Sequence, residues 1–143
     1  MPQKKNYESL KLKNQLCFPL YAASREILRK YTPLLKNLNL TYTQYIVMMV
    51  LWEQKTLTVG DLGKQLYLDT GTLSPLLKAM EEKNLLTRTR QATDERVVTI
   101  SITPQGEALR EQALSVPEEM GKCISLTSEE ATALYKLLYK ILG

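Results

Sequence analysis

The 143-residue chain has no histidine and only two cysteines, Cys17 and Cys123. The missing imidazole removes Ser–His and Cys–His catalysis and every histidine-containing zinc site, and two thiols cannot build a four-cysteine site. Neither a phosphate-cradling P-loop nor a glycine-rich dinucleotide fingerprint is present. The expectation is a protein that is not an enzyme and carries no metal and no cofactor. No apolar run approaches the ~20 residues of a membrane span. The opening Met-Pro-Gln-Lys-Lys-Asn lacks the apolar stretch of a secretory signal. A cytoplasmic location is expected, where a thiol pair is redox-active or free more often than it staples a fold. Internal repeats, low-complexity tracts and long linkers are missing too, so one domain over residues 1–143 is expected.

What is present is a mild basic excess, 19 basic against 15 acidic side chains, which leaves +4. That balance suits a polyanionic partner such as DNA without demanding one. The hydrophobic spacing predicts a mainly α chain with one small β-hairpin. An opening helix runs from residue 8 or 14 to 31, Pro33 helps to end it, and a short turn follows over Leu34–Leu38. Pro19 inside this helix is a conflict, because it removes an early hydrogen bond. Thr41-x-x-Gln44 is a capping box opening a helix to about Gln54, apolar on nearly every side. Thr58 caps the next helix, Tyr67-Leu68-Asp69 is a turn, and a further helix spans about Thr70 to Lys83. Its regular part is expected nearer Thr72 because of Pro75. Leu86–Arg90 and Arg96–Ile102 alternate around the polar loop Gln91–Glu95, which is a hairpin signal. Thr103-Pro104 starts a helix to about Val116, stopped by Pro117. Thr127-x-x-Glu130 opens a last helix whose apolar face is broad enough to need a partner surface.

Helix, turn, helix and then a basic hairpin is the order of a winged helix-turn-helix. The second helix begins Asp69-Thr-Gly-Thr-Leu-Ser74, small enough to approach base edges and phosphates. Thr70, Thr72 and Ser74 are candidates for such contacts and Lys78 for a phosphate, unless these residues only cap the helix. Arg88 and Arg90 alternate on one strand and so share a side. Asp94 can orient Arg96 toward a minor groove, or the hairpin tip is simply solvated. A reader of this size is expected to act as a symmetric dimer on two half-sites.

Cys17 is the other informative residue. With Asn14 as N-cap it would be the third helical residue, where free N–H groups and the helix dipole favour a thiolate. Tyr21, Ser24, Leu28 and Tyr31 follow on the same stripe. The two phenols could stabilise a thiolate or its first oxidation product. The alternative is that Cys17 is a small buried hydrophobe.

Several motifs combine these features. They are Leu40-Thr-x-x-Gln44, Asp94-x-Arg96, Ile102-Thr-Pro-Gln-Gly106, Asn14-Gln-Leu-Cys-Phe-x-Leu-Tyr21, Ser24-Arg-Glu26, Tyr31 and Tyr67-Leu-Asp-Thr-Gly-Thr-Leu-Ser-Pro-Leu-Leu77. On them the chain resembles the MarR family of winged-helix transcriptional regulators, and within it the organic-hydroperoxide-sensing, OhrR-type branch. Pro19 departs from that pattern. The resemblance implies dimerisation helices at about 8–38 and 104–143 around a DNA-binding part at about 41–102. It implies a homodimeric repressor on a palindromic AT-rich operator. Cys17 would be the peroxidatic thiolate, and Tyr21 and Tyr31 match the tyrosines that hydrogen-bond it, partly across the dimer interface. An organic hydroperoxide as inducer would oxidise Cys17 to a sulfenic acid. Release of DNA would follow a mixed disulfide with a cellular thiol, or a disulfide to Cys123 of the partner subunit. Two alternatives stand beside this: a regulator gated by a non-covalent small ligand or by general redox state, and a thiol peroxidase.

Overall fold

The computed structural model describes residues 2–143. Two single 3-10 turns, Glu8–Leu10 and Leu12–Asn14, lead into the first long helix, α1 (Cys17–Lys36). Asn14 is not its cap. Its side chain turns back and donates to the Glu8 carbonyl at 2.7 Å, while Gln15 donates to the Ser9 and Lys11 carbonyls. The helix starts at Leu16 with no side-chain cap, so Cys17 is its first residue and not its third. That shift removes the Pro19 conflict, because the N–H missing at a third helical position has no helical acceptor anyway. At the other end α1 runs past Pro33 instead of stopping near Tyr31. Pro33 deletes a bond only to the exposed Arg29 turn, while buried Leu35 and Leu38 hold the last residues against the core.

Side-chain caps set most of the other helix starts, as local chemistry dictates. Thr41 and Gln44 form the full capping box of α2 (Tyr42–Gln54), and Thr58 accepts from the Asp61 N–H to open α3 (Val59–Leu66). Asp69 caps α4 (Thr70–Glu82), which is regular from Thr70 despite Pro75; the carbonyl that Pro75 deprives of a donor belongs to exposed Gly71. Thr103 with Pro104 opens α5 (Pro104–Ala113). Here the expected single helix to Val116 is broken at Leu114. Pro117 sits in the first turn of a separate helix, α6 (Ser115–Cys123), where its missing N–H does no harm. Buried Val116 and Met120 turn α6 onto α1. The second capping box, Thr127 with Glu130, starts α7 (Ser128–Leu142).

Helix α2 threads the core, with Val47, Met48 and Leu51 fully enclosed by Leu62, Leu73, Leu77, Met80 and Ile100. The sheet has three strands rather than the expected two. Strands β1 (Thr56–Thr58) and β2 (Leu86–Arg90) flank β3 (Val98–Ile102), all antiparallel. Arg96 and Val97, expected in the second hairpin strand, lie in the loop before it. The end of α4 is fastened on two sides. Lys83 donates to the Asn39 carbonyl at 2.7 Å and to Gln44 Oε1 at 3.0 Å, joining it to the α1–α2 corner. Thr103 Oγ1 donates to the Asn84 carbonyl at 2.7 Å, joining it to α5.

The turn between α3 and α4 closes against Gly63. A Cβ there would lie 2.6 Å from the Leu68 carbonyl oxygen, and Tyr67 completes the reversal in left-handed conformation at φ 57°. Gly63→Ala must push the two helices apart. It is expected to destabilise the fold by about 1–3 kcal/mol and to lower Tm in a circular-dichroism melt by roughly 3–12 °C. An unchanged Tm would show slack in the turn.

The outer helices are different in character. No residue of α7 is buried, and Leu134, Tyr135, Leu137, Tyr139 and Ile141 are all exposed. A groove of about 900 Å³ runs between α1 and α7, walled by Leu16, Leu20, Ile27, Leu134, Leu137 and Ile141. Among the described residues, no helix is long and apolar enough to cross a membrane.

Candidate nucleic-acid interface and thiol site

The start of α4 is presented to solvent. Thr70, Thr72, Ser74 and Lys78 are all exposed, while Leu73 and Leu77 anchor the opposite face in the core. Asp69 Oδ1 accepts from the Thr72 N–H at 2.7 Å, and that bond holds the carboxyl below the usual carboxylate range. Ser74 Oγ donates back to the Thr70 carbonyl at 2.9 Å. The cap is therefore the Asp69 carboxylate, and the hydroxyl residues of the first turns lie exposed beside it.

At the wing tip Asp94 accepts from the Arg96 backbone N–H at 3.1 Å, from its Nε at 3.2 Å and from its Nη2 at 3.4 Å. The guanidinium bonds, and then the backbone bond, hold the Asp94 carboxyl below its ordinary range. The Arg96 side chain is nonetheless 90% exposed, so it is aimed without being covered. Arg90 Nη1 donates to the Glu95 carbonyl at 2.9 Å. Arg88 does something else. Its backbone N–H, Nε and Nη2 all donate to Glu81 of α4, at 2.7, 3.3 and 3.2 Å. Thr70, Ser74, Arg88, Arg90 and Arg96 converge with Thr58 around one cleft of about 340 Å³ between helix and wing. Thr72 and Lys78 lie outside its lining. Sequence reasoning missed Glu81, since a helix-end carboxylate seven residues before a strand arginine carries no local signal.

The thiol site is split. Cys17 is free and exposed on the protomer, not packed into the chain's own core. Tyr21 lies one turn along, its hydroxyl accepting from Arg25 Nη1 at 3.3 Å with the guanidinium over its ring. Tyr31 follows 14 residues after Cys17, which is about 21 Å of helix, so a shared stripe does not bring the two together within one chain. Tyr31 instead packs on Tyr42 at 4.8 Å and Tyr45 at 5.9 Å between ring centroids. Burial first, and then a neighbouring phenol, raises the Tyr31 hydroxyl above its ordinary pKa; burial does the same for Tyr42. Tyr42 also lines the α1–α7 groove with Ser24 and Leu28. Sequence reasoning did not name Tyr42 among the candidates. Cys123, the last residue of α6, is free and exposed.

A helix-turn-helix that offers its second helix to solvent beside an arginine-tipped wing is the architecture of the winged-helix DNA-binding proteins. The family model described as transcriptional regulator SarA/Rot matches residues 29–112. The organic hydroperoxide resistance transcriptional regulator of Bacillus subtilis is 48% identical over 136 residues, 95% of this chain and 92% of its own. Among solved structures, reduced AbfR bound to DNA superimposes with TM-score 0.76 at 34% identity, covering 94% of this chain and 95% of that one. AbfR is a protein of Staphylococcus epidermidis. Its disulfide-formed structure gives 0.66 at 33% identity, covering 95% and 96%. The chain belongs to the MarR family of winged-helix transcriptional regulators, as a DNA-binding transcription regulator similar to the hydroperoxide-resistance protein.

Proposed function

We propose that the protein is a homodimeric repressor that releases its operator when an organic hydroperoxide oxidises Cys17. The observation that carries this is the position of Cys17, exposed as the first residue of a helix that no side chain caps. Its backbone sits in the first helical turn, whose N–H groups have no partner within the helix. The thiolate attacks the peroxide, an S–O bond forms and the O–O bond breaks. Two electrons leave sulfur, and the alkoxide departs and takes a proton to become an alcohol. The resulting sulfenic acid condenses with a thiol, losing water and forming a disulfide. That thiol is Cys123 of the partner subunit or a small cellular thiol. The apolar groove beside α1 suits the organic part of the oxidant and, more directly, a second copy of this chain.

In the dimer, residues of about 8–38 and 104–143 associate and about 41–102 read DNA, an AT-rich palindrome. Tyr21 serves the Cys17 of its own chain, while Tyr31 and Tyr42 serve the other, since their distance along the fold excludes a contact at home. Thr70, Thr72, Ser74 and Lys78 contact the major groove and its phosphates, and Asp94 directs Arg96 into the minor groove. The better fit to DNA-bound AbfR than to its disulfide form supports a DNA-competent conformation.

The test is a gel shift on a duplex selected from a random pool by the reduced protein, with and without stoichiometric cumene hydroperoxide. Release on oxidation is expected, and retention would defeat the proposal. A non-reducing gel of the same samples should show a covalent dimer in the wild type and none in Cys123→Ser; monomers in both would assign the second thiol to a small molecule.

A further inference from the structure

A winged-helix protein sets its recognition helix in a major groove and its wing tip in the adjacent minor groove. The sugar-phosphate strand that divides those grooves must then run between helix and wing. In this chain that space is the 340 Å³ cleft lined by Thr58, Thr70, Ser74, Arg88, Arg90 and Arg96. Its width depends on how the wing is set on α4, and the covalent link between them, Lys83 to Leu85, lies at the far end from the tip.

One noncovalent tie crosses from helix to wing nearer the cleft. The strand order β1-β3-β2 makes β2 an edge, so the N–H of Arg88 points away from the ladder. Glu81 takes that N–H on one oxygen and the Arg88 guanidinium on the other. The backbone bond, with the guanidinium, keeps Glu81 ionised further into acid than an ordinary carboxylate. Exposure separates the wing arginines: 31% for the Arg88 side chain and 90% for that of Arg96. Arg96 also faces a carboxylate, but that pair lies within one loop and leaves the guanidinium open to solvent, whereas the Arg88 pair joins helix to wing and would be broken by a DNA contact.

We propose that Arg88 is a positioning residue and not a phosphate contact: with Glu81 it is the strut that fixes the opening through which the DNA backbone passes. This rests on the groove-reading role and is independent of the cysteine chemistry. It also reverses an electrostatic expectation. Removing a carboxylate from a DNA-facing surface normally strengthens binding, whereas here it weakens binding by letting the wing drift.

The experiment measures affinity of the reduced protein for the selected duplex by fluorescence anisotropy over a range of KCl concentrations. Glu81→Ala and Arg88→Ala are each expected to weaken binding about tenfold. The double variant should be no weaker than either single one, and the salt slope should stay at the wild-type value. Arg88→Gln keeps a side-chain donor for Glu81 without the charge and should retain most of the affinity. Discrimination should flatten at the minor-groove positions and persist at the major-groove ones, a change that general loss of stability would not produce. Should Glu81→Ala fail to fold, Glu81→Gln reads the same sign, with a loss expected. Tighter binding in the Glu81 variant, with a salt slope lowered by about 1 in both Arg88 variants, would make Arg88 a phosphate ligand and overturn the proposal.

Discussion

Cys17→Ser is expected to bind the selected duplex as tightly as the reduced wild type and to remain bound at any concentration of cumene hydroperoxide. The exchange is nearly silent for the fold of the protomer. Cys17 is exposed there, so no packing within the chain is lost, and a change at such a site is worth about ±0.5 kcal/mol at most to the protomer. Serine also suits a first helical turn. What disappears is the chemistry, because an unactivated hydroxyl does not attack a peroxide and cannot form a sulfenic acid. The same gel shift that tests the wild type reads the result. Peroxide-driven release from the serine variant would move the sensing event elsewhere in the chain, with exposed Cys123 the first place to look.

The second large effect concerns assembly. Leu137 is exposed on α7 and lines the apolar groove toward α1. Leu137→Glu therefore costs an isolated protomer little. In a twofold dimer it would place a carboxylate against apolar surface in both copies, and a buried charge without a partner is strongly destabilising. Light scattering after size exclusion should report the 16.3 kDa protomer in place of a dimer. Operator affinity should fall at least about a hundredfold, since half-sites are then read singly. A variant that stays dimeric and binds normally would put the interface on another face. The outward ring pair of Tyr135 and Tyr139, 4.7 Å apart, would then be the next candidate.

The order of elements was legible because capping is local. Thr41, Thr58, Thr103 and Thr127 each accept from an N–H three residues on, and sequence spacing reports that directly. Misread boundaries lay where tertiary contacts override local preference. Leu35 and Leu38 carry α1 beyond Pro33, and Val116 and Met120 draw α6 out of what looked like one helix. β1 was invisible because three residues acquire strand geometry only by pairing with β3. In the site, the Asp94–Arg96 latch was readable from a two-residue spacing. The Arg88 assignment was not, because its partner is contributed by another element. Tyr31 was named from sequence as a candidate partner of Cys17, without its separation from Cys17, which follows from helix rise alone.

The bond from Lys83 to the α1–α2 corner makes a lever of the first long helix. With 20 residues α1 spans about 30 Å, carrying the exposed sulfur at one tip and the corner that grips the recognition helix near the other. A tilt of about 5° pivoting at the sulfur end sweeps the gripped end through about 3 Å, close to the roughly 3.4 Å rise of one base pair. On the proposed switch, amplification of that size would let a change of one atom at the sulfur put a DNA reader out of phase with its half-site.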